Sequence, residues 1–365
     1  MTAYLHHIAT QVPEYSYDQD FALKTILKLV GDTDAKRNFL TRVYQGSGIR
    51  KRHSVIGDYQ KSPAEHTFYP PNENLKPEPG TKARNDLFIP ESERLTALAC
   101  DKLFLEQPRL KPSSVTHLIT VSCTGFGAPG FDFHLLKHLG LPGSTERYHI
   151  GFMGCFGAFP ALRLAAHIIA SAPHAKVLVV NCEICSVHFQ LGFDPEIQVA
   201  NAIFADGASA AYLSGNPADG QGTSFAIRHF ASEVIPESVS EMSWKIGEHG
   251  FDMRLSSYVP RLIEGNIRPI IETLLARSEW DLDSIDHWAI HPGGRAILDK
   301  VSSVLGLKPE ALKPSYETLR DFGNMSSTTV MFVLNHIMRA GKRGKLFASA
   351  FGPGLTVESA SMERV

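Results

Sequence analysis

Short apolar runs alternate with stretches of helical periodicity along most of this chain. Residues 115–121, 176–181, 285–290 and 345–350 are apolar at mostly consecutive positions, several of them β-branched. That pattern predicts strands buried on both faces, as in a parallel sheet. Residues 131–139, 161–172, 295–305 and 327–339 repeat apolar side chains at helical spacing, which predicts helices. Strand alternating with helix gives the α/β class. Residues 59–86 break the pattern. Five prolines (Pro63, Pro70, Pro71, Pro77, Pro79) among polar residues predict a surface excursion rather than core.

A faint internal repeat underlies the alternation. Ser114-Val115-Thr116-His117-Leu118-Ile119 leads into Cys123-Thr124-Gly125, and Ser284-Ile285-Asp286-His287-Trp288-Ala289 leads into His291-Pro292-Gly293-Gly294. A glycine-flanked polar segment and a helix follow in each half, Gly154-Cys155 in one and Gly323-Asn324 in the other. Each half then enters a strand. A duplicated α/β unit would set Cys155 and Asn324 on pseudo-symmetric loops that face one another.

Composition narrows the field. The 365 residues are 43% hydrophobic and 20% charged, enough for a large core and for two domains or one duplicated domain. The net charge of -2 favours neither nucleic acid nor an anionic membrane. The N-terminal residues lack a signal-peptide layout, and the longest apolar stretch, around 150–162, is broken by glycines and Pro160. A soluble, cytoplasmic protein without membrane insertion is expected. Five cysteines, an odd number in a long chain, argue against a disulfide framework.

Three separate segments carry candidate chemistry. Gly-Phe-Met-Gly-Cys-Phe-Gly (151–157) presents Cys155 ahead of a helix that should start near Phe156–Phe159, with Pro160 tolerated in its first turn. A thiol at a helix N-terminus is favoured as thiolate. A lone cysteine is more often a core residue, and the glycine frame is what favours the reactive reading. His291 follows the predicted strand 285–290 and precedes Pro292-Gly293-Gly294. As an imidazolium it could pair with a thiolate; as a neutral donor it could stabilise an oxyanion. The bland reading is a histidine that merely flanks a turn. Asn324 precedes a helix and could be an N-cap, as could Ser326 or Ser327. Its amide could equally donate to an enolate without changing protonation. Cys182 and Cys185 form Cys-x-x-Cys, for which packing is the favoured reading and a thiol or zinc site the alternative.

Together these residues resemble the type III polyketide synthases, the chalcone-synthase-like branch of the thiolase fold. The motifs are Gly154-Cys155-Phe156-Gly157, His291-Pro292-Gly293-Gly294, Gly323-Asn324-Met325-Ser326-Ser327 and Phe351-Gly352-Pro353-Gly354. The resemblance, to a bacterial-type member, implies a five-layered αβαβα sandwich of two pseudo-symmetric halves, residues 1–220 with Cys155 and 221–365 with His291 and Asn324. It implies a homodimer using CoA thioesters and no metal or other cofactor. Cys155 would take the starter acyl group, and His291 and Asn324 would stabilise the enolate from malonyl-CoA. Phe204 matches the gatekeeper phenylalanine. Arg42 matches one CoA-phosphate residue, beside Gly293 and Gly294. Its two basic companions appear as Phe39 and Gly46, so Arg50, Lys51 or Arg52 could contribute. Cys123, Cys185 and His188 stand where plant members have threonines, and Ala128 where they have a methionine that enters the partner subunit. Met253 replaces a second gatekeeper and Trp244 a cavity glycine; Ser326, Gly352 and Pro353 complete the substrate wall. This altered pocket suggests a fatty acyl starter and an alkylpyrone or alkylresorcinol product. The competing enzyme is a single-condensation ketoacyl synthase III served by an acyl carrier protein.

Overall fold

The computed structural model describes residues 1–365 except 223, 236, 237, 239–241 and 257. The elements in the first half are β1 (Ala3–Gln11), β2 (Tyr15–Asp18), α1 (Gln19–Val30), α2 (Asp34–Gly46), β3 (Lys51–Ser54), α3 (Thr81–Glu106), β4 (His117–Ser122), α4 (Phe131–His138), β5 (Glu146–Gly151), α5 (Ala158–Ser171), β6 (Lys176–Ile184), α6 (Pro195–Ile203) and β7 (Asp206–Ser214). The second half holds β8 (Phe225–Val234), β9 (Met242–Gly247), β10 (Gly250–Leu255), α7 (Val259–Arg277), β11 (His287–Ile290), α8 (Arg295–Leu305), α9 (Lys313–Phe322), α10 (Thr329–Arg339), β12 (Gly344–Gly352) and β13 (Thr356–Arg364).

The repeat is visible in the pairing. In the first half β4 runs parallel to β6, β6 antiparallel to β7, and β7 antiparallel to β1. In the second half β11 runs parallel to β12, β12 antiparallel to β13, and β13 antiparallel to β8. β1 also pairs with β8 through Ala3–Leu5, so nine strands join in the order β11-β12-β13-β8-β1-β7-β6-β4-β5.

Period-two alternation assigns each strand face to a layer. Ile119, Val121, Val177, Val179, Leu346 and Ala348 share one core with α5 and α10. Leu118, Leu178, Val180, Trp288 and Phe347 point the other way, into the core beneath α3, α7 and α8. Outer helices, strands, the α5 and α10 layer, strands and outer helices thus give the αβαβα architecture. Helix α5 opens where the sequence placed it, and Pro160 lies in its first turn, where no intrahelical donor is required. Gly154–Ser171 is the one stretch among the described residues long and apolar enough to cross a membrane, and 56% of it is buried inside the protein.

The proline-rich segment runs over the surface, as expected, and is anchored to the body at a few buried residues. Tyr69, Leu75 and Arg84 are buried, and α3 begins within the segment at Thr81. The buried Asp58 carboxylate accepts the backbone N–H groups of Thr67 at 3.0 Å, Phe68 at 2.8 Å and Tyr69 at 2.8 Å. Arg84 donates to the carbonyls of Pro79 (2.7 Å) and Phe189 (2.8 Å), and to that of Val187. The few residues that turn inward are tolerated because side chains satisfy the backbone groups around them.

Candidate active site

Cys155 occupies a 3-10 turn, Gly154–Phe156, directly ahead of α5. Gly154 has φ +77°, and a Cβ there would stand 2.4 Å from Cδ of Pro353. Only glycine fits both the conformation and the contact. Gly352 approaches from the other side, its Cβ direction 3.4 Å from the Cys155 nitrogen.

His291 continues the parallel pairing of β11 with β12, its N–H donating to the Ser349 carbonyl at 2.8 Å. The ring is fully buried, and neither nitrogen has a hydrogen-bond partner among the described residues. Such orphaned polar atoms in a cavity wall are what a substrate oxygen or thiol can satisfy.

Asn324 is held by its backbone. Its N–H donates to Ile203 O and its carbonyl accepts from Ala205 N, both at 2.9 Å, around Phe204. Gly323, at φ +72°, allows the chain to turn there against Ile203 O, 3.0 Å from a notional Cβ. The side-chain Oδ1 accepts from Ser326 N at 2.9 Å, and Nδ2 donates to Gly293 O at 3.2 Å. Asn324 is not the N-cap of α10, a position held by Thr328; its Oδ1 instead holds the turn, which sets the direction of Nδ2. Ser327 does not cap, because its hydroxyl donates to Glu183, and the helix proper starts only at Thr329.

These three side chains line one chamber. Burial pushes the Cys155 thiol up to about 12, opposed by hydrogen bonds from Ser326 and Asn324. Burial pulls His291 down to about 3. Either charge alone is disfavoured, so an imidazolium waiting at rest is not what this site holds. A proton passing from sulfur to imidazole creates both charges together and lets their attraction offset the desolvation.

Of the other expected residues, Cys123, Cys185, Phe204, Trp244, Met253, Gly293, Ser326 and Pro353 line the chamber. Gly294 caps α8 and is not among the lining residues. Ala128 is exposed and lines neither this chamber nor the cavity beside it. His188 belongs to that second cavity, which shares Cys185, Phe204, Trp244 and Met253 with the first. Tyr17, Phe21, Ile26, Tyr44 and Phe189 make its remaining wall largely apolar. Trp244 is fixed in the dividing wall by its indole N–H, which donates to Cys123 O at 2.7 Å. His188 is also fixed, with Nε2 donating to Thr124 O at 2.8 Å and Nδ1 accepting from Phe251 N at 3.1 Å. Burial pulls it down to about 3, so it stays neutral.

Two basic candidates have other partners. Arg52 points inward and donates to Gln19 Oε1 and to the carbonyls of Asn201 and Phe204 at 2.7–3.0 Å. Arg50 pairs with Asp321 at 2.9 Å. Arg42 is exposed on α2, its guanidinium 5.9 Å from the Phe39 ring. Cys182 packs in the outer core, and among the described residues no group of His, Cys, Asp and Glu could hold a metal ion.

Sequence reasoning missed Glu183. Its carboxylate, held above the ordinary range by burial, accepts from Cys123 N at 3.0 Å, Thr124 Oγ1 at 2.8 Å and Ser327 Oγ. It ties the wall containing Cys123 to the turn after Asn324. An acidic residue inside the apolar run of β6 was the signal.

A buried thiol, an imidazole and a carboxamide facing one chamber on a duplicated α/β frame define an acyl-transfer enzyme of the thiolase fold. The N-terminal domain of the chalcone and stilbene synthases matches residues 2–217 and their C-terminal domain residues 226–365, and the chain belongs to that family. The solved structure of PKS-I from the brown alga Ectocarpus siliculosus is 28% identical, with a TM-score of 0.93 over 100% of this chain and 98% of that one. The C-terminal type III polyketide synthase domain of Steely1, a type I/III hybrid from Dictyostelium, is 26% identical, with a TM-score of 0.92 over 100% of both chains. The protein is a type III polyketide synthase, an acyltransferase that condenses with decarboxylation, and the family works on CoA thioesters without a cofactor. The readings as a ketoacyl synthase III or as a zinc protein yield to that assignment.

Proposed function

We propose that Cys155 is the acyl acceptor and that the starter is a fatty acyl-CoA. His291 takes the thiol proton as sulfur attacks the thioester, then returns it to the departing CoA thiolate. Malonyl-CoA enters next and releases CO2. His291 and the Asn324 amide hydrogen-bond the enolate oxygen that results. The enolate carbon attacks the acyl group on Cys155 and frees the thiolate, and reloading of the chain allows another round. Cyclisation of the poly-β-ketone gives an alkylpyrone or alkylresorcinol.

The observation that carries the starter assignment is the second cavity. It abuts the chamber across Phe204, Trp244 and Met253 and is walled mainly by apolar side chains. An aliphatic chain gains roughly 0.8 kcal/mol per buried methylene in such a space. A homodimer is part of the same reading. β5 is a sheet-edge strand with mostly exposed residues, and Tyr148, Phe152, Met153 and Phe126 are exposed on or near it. An edge of that kind needs a cover.

The test is incubation with malonyl-CoA and a panel of acyl-CoAs, with mass spectrometry of products and protein. Fatty acyl groups of about eight to sixteen carbons should outcompete aromatic starters by tenfold or more in kcat/KM. Adducts should map to Cys155 and vanish in Cys155→Ala. Better use of aromatic starters would overturn the starter assignment; adducts that survive in Cys155→Ala would overturn the nucleophile.

A further inference from the structure

We propose that Arg295, acting with Arg42, holds the phosphates of the CoA thioester at the outer rim of the catalytic chamber; this rests on the CoA chemistry described above. Arg50 and Arg52 have partners elsewhere, and Arg295 offers a further cation close to α2. Arg295 is the first residue of α8, immediately after His291-Pro292-Gly293-Gly294. Gly293 and Ile297 line the chamber, while Arg295 and Ala296 on the same turn are exposed. One helical turn therefore separates the reacting groups from solvent. The Arg295 stem packs on Gly48, whose notional Cβ lies 3.1 Å from its Cδ. Gly48 follows closely on the end of α2, the helix that carries Arg42. The two arginines thus belong to one rim.

Neither is well neutralised. Arg42 has no carboxylate partner among the described residues. Among the described residues Arg295 has only Asp299, at 3.6 Å, and that carboxylate already accepts from the Tyr316 hydroxyl at 2.6 Å. A guanidinium presents a planar fork of donors that matches phosphate oxygens. CoA places its thiol and its phosphates at opposite ends of the pantetheine arm, as the chamber and this rim are placed. A carrier protein's phosphopantetheine offers the same chemistry with a single phosphate, and the experiment separates the two.

Steady-state kinetics would compare wild type, Arg295→Gln and Arg295→Lys on malonyl-CoA, on malonyl N-acetylcysteamine thioester, which has no phosphate, and on a malonyl carrier protein. Arg295→Gln should raise KM for malonyl-CoA roughly threefold to tenfold, with kcat little changed and a weaker salt dependence. Arg295→Lys should recover most of that loss. Turnover of the phosphate-free thioester should be the same in all three proteins. An unchanged KM for malonyl-CoA in Arg295→Gln, or equal losses on both small thioesters, would overturn the proposal. A defect confined to the carrier protein would also overturn it. Wild type unable to use any CoA thioester would instead sink the functional reading on which it rests.

Discussion

The catalytic chamber and the apolar cavity beside it share a wall but are built differently. The chamber is assembled from turns: the glycine-framed turn at Cys155, the end of β11 at His291 and the clamped turn at Asn324. Its working groups are set by backbone geometry and by hydrogen bonds, which leave little freedom. The cavity is assembled from side chains on α1, α6, the β9–β10 hairpin and the segment around Tyr59. Its shape depends on volumes, and one substitution can change it without touching the turns. Under the proposed function, chemistry and selectivity are carried by separable parts of one fold.

The largest expected effect strikes the chamber alone. His291→Ala leaves the Cys155 thiol raised by burial and with no base beside it. A raised thiol pKa keeps sulfur protonated until the pH approaches that value, so the thiolate is present only in alkaline solution. Iodoacetamide labelling of Cys155 at pH 7 should slow by about a hundredfold relative to wild type and climb steadily towards pH 10. Starter preference among the residual turnovers should stay as it was. Wild-type labelling as slow as the variant's at pH 7 would remove His291 from thiol activation.

The chamber was legible in the sequence because its requirements are local. A glycine at φ +77° against Pro353, or a strand ending in His-Pro-Gly-Gly, leaves a mark in adjacent residues. The four strands and four helices that the sequence pattern placed were legible for the same reason, within a few residues at their ends, while the other elements went unread. Much of the cavity was not. Tyr17, Phe21, Ile26, Tyr44 and Tyr59 come from distant segments, and nothing in their spacing announces that they meet. Arg50 and Arg52 show the converse failure. Both were plausible phosphate ligands by type and position, and only the folded chain reveals that one is bound to Asp321 and the other to buried carbonyls. The segment 59–86 lies at the surface as its prolines predicted, but the anchoring of Tyr69 and Arg84 was not legible, because their partners Asp58 and Phe189 lie outside the segment.

An intermediate effect falls on the shared wall. Trp244→Gly removes the side chain that stands between the two spaces and its bond to Cys123 O. The ratio of kcat/KM for a sixteen-carbon over an eight-carbon starter should rise about tenfold, since each buried methylene contributes on the order of 0.8 kcal/mol where space allows. Labelling of Cys155 by iodoacetamide should change little. An unaltered ratio would show that the acyl chain does not pass Trp244, and the cavity would lose its assigned role.

The smallest effect should reach the cavity from outside it. Tyr59 lines the cavity and is bonded through its hydroxyl to Tyr69 at 2.9 Å, and Tyr69 is fixed by the Asp58 carboxylate. Burial alone would raise the Asp58 pKa, but three backbone N–H groups and the Thr67 hydroxyl outweigh it and hold the group below the ordinary carboxylate value. A depressed folded-state pKa gives stability that is complete above the unfolded-state pKa and is lost as the pH falls through the folded one. Asp58→Ala strands those donors at a cost of about 2 kcal/mol, so the melting temperature should drop by a few degrees at pH 7. The gap between variant and wild type should close in acid, where the wild-type carboxylate is also protonated. On activity, turnover of the longest starters should fall about twofold to threefold while that of short ones holds, because only the far wall has loosened. Equal losses for short and long starters would mean that the tether supports the turns as well as the cavity, and the two regions would then have to be treated as one mechanical unit.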